Sequence, residues 1–436
     1  MRTDRYLEEN RIQTKHNQHN KHSKHEMQRK PKMKKRRALK LLLLFIFLLL
    51  VAIPATLYYS YKSTLDSLAV SFSDSSPTVE IGEDHASMDY IEDSVGEIEA
   101  SSEYLDTETA GDKVLVFTAS KSMFGGLLNP FKRFRFKYTV KDRTPPIMLW
   151  SGDGVTLEKG TEFDIKNVIG YGDNADPKPE VSCEGNVDMN TVGSYPLHVT
   201  VTDASGNSTD WQMTVNVAEE LPTYQSSSSR FEFSDFKKTY AGDGKSFGID
   251  VSDWQGDIDF EKVKSAGCEF VIIRIGWSED GSVSMDKKFR QNLERAKAAG
   301  IPIGLYLYSY DNSVEDVKKA ASWIVKQLGG TALELPIAFD WEDFGQFQHY
   351  EMSFITLNKM YDAFAGELKK AGYECMLYGS LNFLEKVWED TDKRPVWLAH
   401  YAEQTDYKGP HRIWQASNTG KIDGISGAVD LDIMYE

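Results

Sequence analysis

Cysteine is nearly missing from this chain: Cys183, Cys268 and Cys375 are scattered over 436 residues with no C-x-x-C pair. An odd, scattered set excludes a disulfide framework and a zinc ribbon, and the three read as small buried apolar residues. Histidine past residue 40 is equally thin. His85, His198, His349, His400 and His411 lack metal-ligand spacing, which argues against a metal-dependent deacetylase, and no cofactor or metal is expected. No G-x-S-x-G and no Cys-His arrangement supports an acyl nucleophile. Basic charge is lacking too, except at one end. Residues 1–40 hold fourteen Lys and Arg against four Asp and Glu, so a net charge of −16 leaves about −26 on everything from Leu41 onward. Such a body repels nucleic acid.

Hydrophobic residues at 41% and aromatics at 12% are enough for real cores, and the length suits two to four units. One run stands apart. Leu41 to Tyr59 carries no charge over nineteen residues, long enough to cross a hydrocarbon layer as a helix, so a transmembrane segment is expected over 41–61. Lys and Arg crowd its front and Tyr58, Tyr59 and Tyr61 follow it, which sets the 1–40 tail in the cytoplasm and the remainder outside the cell. The competing reading is a signal peptide cleaved after about Ala55, leaving a secreted chain. In the tail, His16, His19, His22 and His25 recur at steps of three, in a setting that reads as a disordered basic segment near anionic lipid rather than a metal site.

The stretch 62–141 reads as an acidic, Ser-rich stalk over 63–101 running into a first β domain, the first copy spanning about 75–141. Its second half has an echo further along the chain: Leu105 to Val116 lines up with Val187 to His198 at an offset of eighty-two residues, a Gly turn leading into an alternating strand each time. The second copy opens on Asp142-Arg143-Thr144-Pro145-Pro146 and carries Thr202-Asp203-Ala204-Ser205-Gly206-Asn207 before its last strand. In these motifs 142–218 resembles the immunoglobulin-like repeats of bacterial surface proteins, which implies a β-sandwich acting as a spacer. Asp173, Asn174 and Asp176 offer oxygens for calcium, but ordinary turn chemistry accounts for them better. A linker is expected over 219–245, around the Ser226–Ser229 run.

From 246 to 436 the texture changes. Strand-like runs at Phe247–Val251, Phe270–Gly276, Pro302–Tyr308, Pro336–Glu342, Cys375–Gly379, Val396–Tyr401, Arg412–Ala416 and near the end alternate at first with amphipathic stretches, then crowd together. That pattern predicts an α/β barrel of the modified (β/α)5(β)3 type, with its chemistry at the C-terminal ends of the strands. Asp250 ends the first strand, Asp340 and Glu342 the fourth, and Asp430 stands by the last, so four acids are expected over one cleft. Asp340 and Glu342, one residue apart, emerge on the same side of a strand. Like charges held close keep one carboxyl protonated near neutral pH, which glycoside hydrolysis requires of its general acid. Tyr306, Tyr308, Tyr378, Trp397, Tyr401 and Trp414 accompany the acids, offering flat faces to sugar rings, with core packing as the alternative for each.

Gly248-Ile249-Asp250-Val251-Ser252 with Gln255-Gly256, Phe270-Val271-Ile272-Ile273-Arg274, Gly304-x-Tyr306, Asp340-Trp341-Glu342, Trp397-Leu398-Ala399-x-Tyr401, Trp414-Gln415, Asp423-Gly424 and Val429-Asp430 resemble glycoside hydrolase family 25, the Chalaropsis-type lysozymes, over 247–436. The resemblance implies cleavage of the β-1,4 bond between N-acetylmuramic acid and N-acetylglucosamine in peptidoglycan. It implies Glu342 as proton donor, Asp340 as the group that assists the substrate acetamido as it attacks the anomeric carbon, and Asp250 and Asp430 as tuning charges, with net retention. Saccharide contacts are expected at Tyr306, Tyr308, Tyr378, Trp397, Tyr401 and Gln415. Where the family often has His or Phe after the strand-three tyrosine, Leu307 and Tyr308 stand here. The alternative is a non-catalytic wall-binding protein on the same barrel. The oligomeric state is not legible.

Overall fold

The computed structural model describes residues 30–149, 152–221 and 231–435. The histidine-bearing tail and the Ser226–Ser229 run lie outside the described residues. The chain divides into two units, with the boundary close to Lys141.

The first unit opens with helix α1 (Lys30–Ser67). Its stretch from Lys35 to Ser67 has a mean hydropathy of 2.7 in its most apolar window and buries none of it, so by length and composition it is a candidate span. The helix outruns the expected 41–61 at both ends. Strands follow at once: β1 (Ala69–Phe72), β2 (Thr78–Glu80), β3 (Ile91–Val95), β4 (Glu97–Ala100), β5 (Gly111–Ser120) and β6 (Phe131–Lys141). Residues 69–100, where the expected stalk overlaps the expected first β domain, hold four strands, because Leu68, Val79 and Ile81 supply the apolar anchors that their acidic neighbours hide in a composition average.

The second unit begins with β7 (Ile147–Met148), β8 (Gly154–Glu158), β9 (Tyr171–Gly172), β10 (Glu180–Glu184), β11 (Gly193–Thr202) and β12 (Ser208–Ala218). These six repeat the first six. β1 pairs with β3 and β7 with β9, while the sheets run β2-β6-β5-β4 and β8-β12-β11-β10. β5 and β11 start and end eighty-two residues apart, the interval of the sequence echo. Ile169, Leu197, Val199, Val201, Met213 and Val215 fill the second sandwich. Cys268 and Cys375 are buried as expected, but Cys183 is exposed, since it lies on β10, the edge strand of its sheet.

After β13 (Phe231–Glu232) and α2 (Phe233–Tyr240) come β14 (Lys245–Val251), α3 (Phe260–Ser265), β15 (Phe270–Glu279), β16 (Ser282–Met285), α4 (Phe289–Ala298), β17 (Ile303–Ser309), α5 (Val314–Leu328), β18 (Ile337–Asp340), α6 (Phe354–Lys370), β19 (Cys375–Ser380), α7 (Leu381–Lys386), β20 (Val396–Ala399), β21 (Ile413–Lys421) and β22 (Val429–Tyr435). Side chains cap the helices where the chain turns back: Asp259, Ser313 and Ser353 each accept from a backbone N–H of the first turn. β14, β15, β17, β18, β19, β20, β21 and β22 close into an eight-strand barrel. All neighbours from β14 to β21 are parallel, and β22 runs antiparallel to both β21 and β14. Its reversed sense brings the start of β22, with Asp430 opposite Asp250, to the mouth where the other strands end.

Period-two alternation decides what faces the bore. Phe270, Ile272, Ala338, Met376, Trp397 and Ile413 form an apolar plug inside it. Gly248 has to be glycine, since a Cβ there would come within 2.6 Å of three atoms of the Phe270 ring; two residues on, Asp250 emerges above that plug. The alternate residues, Ile249, Ile273, Leu305, Ile337, Phe339 and Leu377, pack outward against the helices.

The immunoglobulin-like sandwich is docked on this barrel. Phe354 N donates to Asp173 O at 2.9 Å and Ile355 N to Asn174 O at 3.0 Å. Leu149 joins the barrel's outer core, and Gly172 lies so close that a Cβ would be 2.6 Å from the Phe347 ring.

Candidate active site

β18 ends at Asp340, two residues earlier than expected. Trp341 is fully buried, donating Nε1–H to Asp311 O at 2.9 Å and packed edge-on against Phe344, Phe347 and Tyr350. That anchor turns the chain so that Asp340 stays buried and Glu342 stands open at the mouth.

The structure brings Asp250, Asp340, Glu342 and Asp430 together. Burial within the rim, then the charge of Asp430, raises the Glu342 carboxyl to about 7, although the side chain keeps access to solvent. Asp340 is pushed well above the ordinary carboxylate range by burial and by Glu342, with Arg274 pulling the other way. Its Oδ1 is buried without a hydrogen-bond partner, an acceptor left unsatisfied among the acids. Burial, Asp430 and Asp432 likewise raise Asp250, and burial lifts Asp430 to about 6.

A relay holds Asp250 in place. Tyr378 and Tyr401 donate their hydroxyls to Gln415 Oε1 at 3.0 and 2.9 Å, and Gln415 Nε2 donates to Asp250 Oδ2 at 2.7 Å. Two phenols on one carbonyl oxygen fix which way the amide points. Tyr306 and Tyr308 are half-buried, Tyr308 beside Asp340 in register, and burial together with the acids raises both phenols.

Three of the expected saccharide contacts take other positions. Trp397 is only 1% exposed, its ring edge-on to Tyr306 and Tyr378 and its Nε1 donating to Asp432 Oδ1 at 2.8 Å. Gln415 and Tyr378 are buried as well. These three support the acids from beneath because they point into the bore rather than over it. Tyr401, at 52% exposed, keeps an open ring face with its hydroxyl pinned.

Two charged residues that pack beneath the acids have no role in the sequence reading. Asp432 is fully buried below Asp250, and burial raises it to about 8; its Oδ2 has no conventional donor, and a proton shared with Asp250 satisfies the pair. The signal was its spacing of two from Asp430, hence the same face. Arg274 donates Nε–H to buried Asp286 Oδ2 at 2.8 Å and also pairs with Asp253; a lone cation ending the apolar run 270–273 was its mark.

Asp173 Oδ1 accepts from Ala175 N and Asp176 N at 2.9 and 2.6 Å, the expected turn chemistry. An oxygen of Asp173 also lies within 4.8 Å of one from Asp142 and one from Asp203.

Residues 249–425 match the family described as Glycosyl hydrolases family 25. The barrel is a family 25 glycosyl hydrolase domain. Residues 147–217 match the family described as Bacterial surface protein, Ig-like domain. The barrel region is similar to the Autolytic lysozyme of Clostridium acetobutylicum, 30% identical over 43% of this chain and 56% of that protein. It is also similar to Lysozyme M1 of Streptomyces globisporus, 29% identical over 42% of this chain and 65% of that one. The chain thus spans less than two thirds of either curated relative. Among solved structures, the bacterial lysozyme from Streptomyces coelicolor is 25% identical, covering 43% of this chain and 90% of that chain with a TM-score of 0.37.

Proposed function

We propose that this chain is a membrane-anchored muramidase that hydrolyses the β-1,4 bond between N-acetylmuramic acid and N-acetylglucosamine in peptidoglycan. One observation carries the reading: an open Glu342 carboxyl raised to about 7 beside a buried Asp340 whose Oδ1 lacks a partner. The names of two curated relatives, the Autolytic lysozyme and Lysozyme M1, support it.

Glu342, protonated near neutral pH, gives its proton to the glycosidic oxygen as the C–O bond breaks. The substrate's acetamido N–H donates to the Asp340 carboxylate, and the acetamido oxygen attacks the anomeric carbon from the opposite face. Water then opens that intermediate, passing its proton to Glu342, so two inversions leave net retention. The hydrogen bond from substrate favours the ionised form of Asp340 and leaves the proton on Glu342. Asp250 and Asp430 set the charge around the pair, and Tyr306, Tyr308 and Tyr401 line the saccharide path. The barrel is of the (β/α)5(β)3 type in this reading, since a helix follows each of the first five ring strands and none follows β20 or β21. Helix α1 anchors the chain with its N-terminus cytoplasmic and the barrel outside, a placement that suits a wall substrate.

Digestion of purified peptidoglycan, read by mass spectrometry, should release fragments with muramic-acid reducing ends, and early NMR of the product should show the retained anomer. Glu342→Gln should abolish release while the melting temperature stays unchanged. A wild-type chain that binds wall without cutting it would instead establish the non-catalytic alternative.

A further inference from the structure

Trp254 is 84% exposed, the highest value among the exposed large hydrophobic residues described. An indole left in water gives up the burial that large aromatics ordinarily achieve. A slack surface loop would explain it, but the backbone here is held from several sides. Trp254 lies in the short turn Asp253–Gln255 that follows β14, four residues after Asp250. Ser252 Oγ accepts from Trp254 N at 3.2 Å, and Gln255 Oε1 accepts from Ser252 N at 2.8 Å. Buried Asp286 accepts from Asp253 N at 3.0 Å and from Arg274 Nε at 2.8 Å through the same Oδ2, while Arg274 also pairs with the Asp253 carboxylate. Gln255 Nε2 reaches across to Ala428 O at 3.2 Å, two residues before Asp430.

The turn therefore bridges the ends of β14 and β22, the two strands that supply Asp250 and Asp430, and a largely buried ion network fixes it. A solvent-facing aromatic carried on a fixed backbone turn beside a carboxylate-lined mouth meets the needs of carbohydrate recognition: a flat face for the C–H face of a pyranose, on a segment whose backbone is ordered before the ligand arrives. We propose that Trp254 is a stacking platform for an N-acetylhexosamine residue of the glycan strand, beyond the two sugars that flank the cleaved bond. The occupant is argued from continuity with the acid site, so this inference rests on the peptidoglycan reading above.

The test uses the full chain in detergent, carrying Glu342→Gln so that binding is read without turnover, and sedimented with purified peptidoglycan. Trp254→Ala should weaken binding about tenfold, equivalent to ~1.4 kcal/mol, and Trp254→Phe should stay within about threefold of its parent because a ring remains. Independently of any change at Trp254, adding a soluble N-acetylglucosamine tetramer should shield the most acrylamide-accessible part of the tryptophan fluorescence. Equal binding by Trp254→Ala, or equal losses for Ala and Phe, or quenching untouched by the tetramer overturns the platform. If the wild type releases muramic reducing ends while Trp254→Ala binds undiminished, only the platform fails. If Trp254→Ala binds weakly while the wild type releases nothing, only the hydrolase fails; a chain that does not sediment with wall overturns both.

Discussion

Asp432→Asn should make the barrel more stable, and increasingly so as pH rises. Asp432 is fully buried, its Oδ1 receives the Trp397 indole N–H, and its carboxyl titrates near 8 rather than near 3.8. Between those two pH values the folded chain binds a proton that the unfolded chain has released, so stability falls as pH climbs from about 4 to about 8. At ~1.36 kcal/mol per unit, the shift sets a ceiling of roughly 6 kcal/mol on what one such group costs above pH 8. Asp250 and Asp430 share the charge, and relief on the order of 1–4 kcal/mol is expected when a buried ionic group is replaced by a neutral one that fits. Asparagine fits here: its oxygen still accepts from Trp397, and its N–H₂ can donate to Asp250 in place of the shared proton. Seven of the nine tryptophans lie past residue 231, so intrinsic fluorescence reports on the barrel during thermal melts. The variant should melt with the wild type near pH 4 and several degrees above it at pH 8. A gap that does not change with pH, or a variant that melts lower at pH 8, refutes the shared-proton arrangement.

Gln415→Leu should strip Asp250 of the hydrogen bond that lowers its pKa and leave the Tyr378 and Tyr401 hydroxyls without their acceptor; a pH–rate profile should show the limb governed by Asp250 moving to higher pH, with stability down by ~1–3 kcal/mol. Arg274→Met should cost ~3–5 kcal/mol, since buried Asp286 would lose the guanidinium paired with it; denaturant titration reads the loss, and Asp286→Asn in the same background should restore part of it. Gly172→Val forces a side chain into the Phe347 ring and should cost ~1–3 kcal/mol, seen as an earlier melt of the barrel; an unchanged melt would mean that the sandwich does not bear on it.

The ring strands could be read in advance because each is a short apolar run, and a run of that kind loses most by being misplaced. Their ends carried the four acids for the same reason: a carboxylate is tolerated where an apolar strand meets solvent, and period-two spacing put Asp250 and Asp340 on the bore. The same logic applies to Asp432, two residues on from Asp430 and on the same face, to which the sequence analysis gives no role. Aromatics were harder. Trp397 and Tyr401 lie four residues apart in one motif, yet one is sealed in the bore and the other is open, because β20 stops at Ala399 and the alternation stops with it. Glu342 reached the mouth for a different reason than strand pleating, namely the buried Trp341 that anchors the turn. The strands over 69–100 were hidden by composition: a window averaged over acids and serines does not register a few well-placed apolar residues.

The docking of the sandwich had no local signal either, and it changes how the spacer is understood. The chain that leaves Asp340 and Glu342 runs through Phe344 and Phe347 to Phe354 before it becomes α6. On its inner side Trp341 holds it by a buried hydrogen bond to Asp311 O and by ring contacts. On its outer side Gly172, Asp173 and Asn174 meet it with two backbone hydrogen bonds and a contact that leaves no room for a Cβ. A spacer meant only to add reach would need neither. The sandwich is therefore a wall of the segment that carries the chain away from the two acids, packed on the side opposite Trp341.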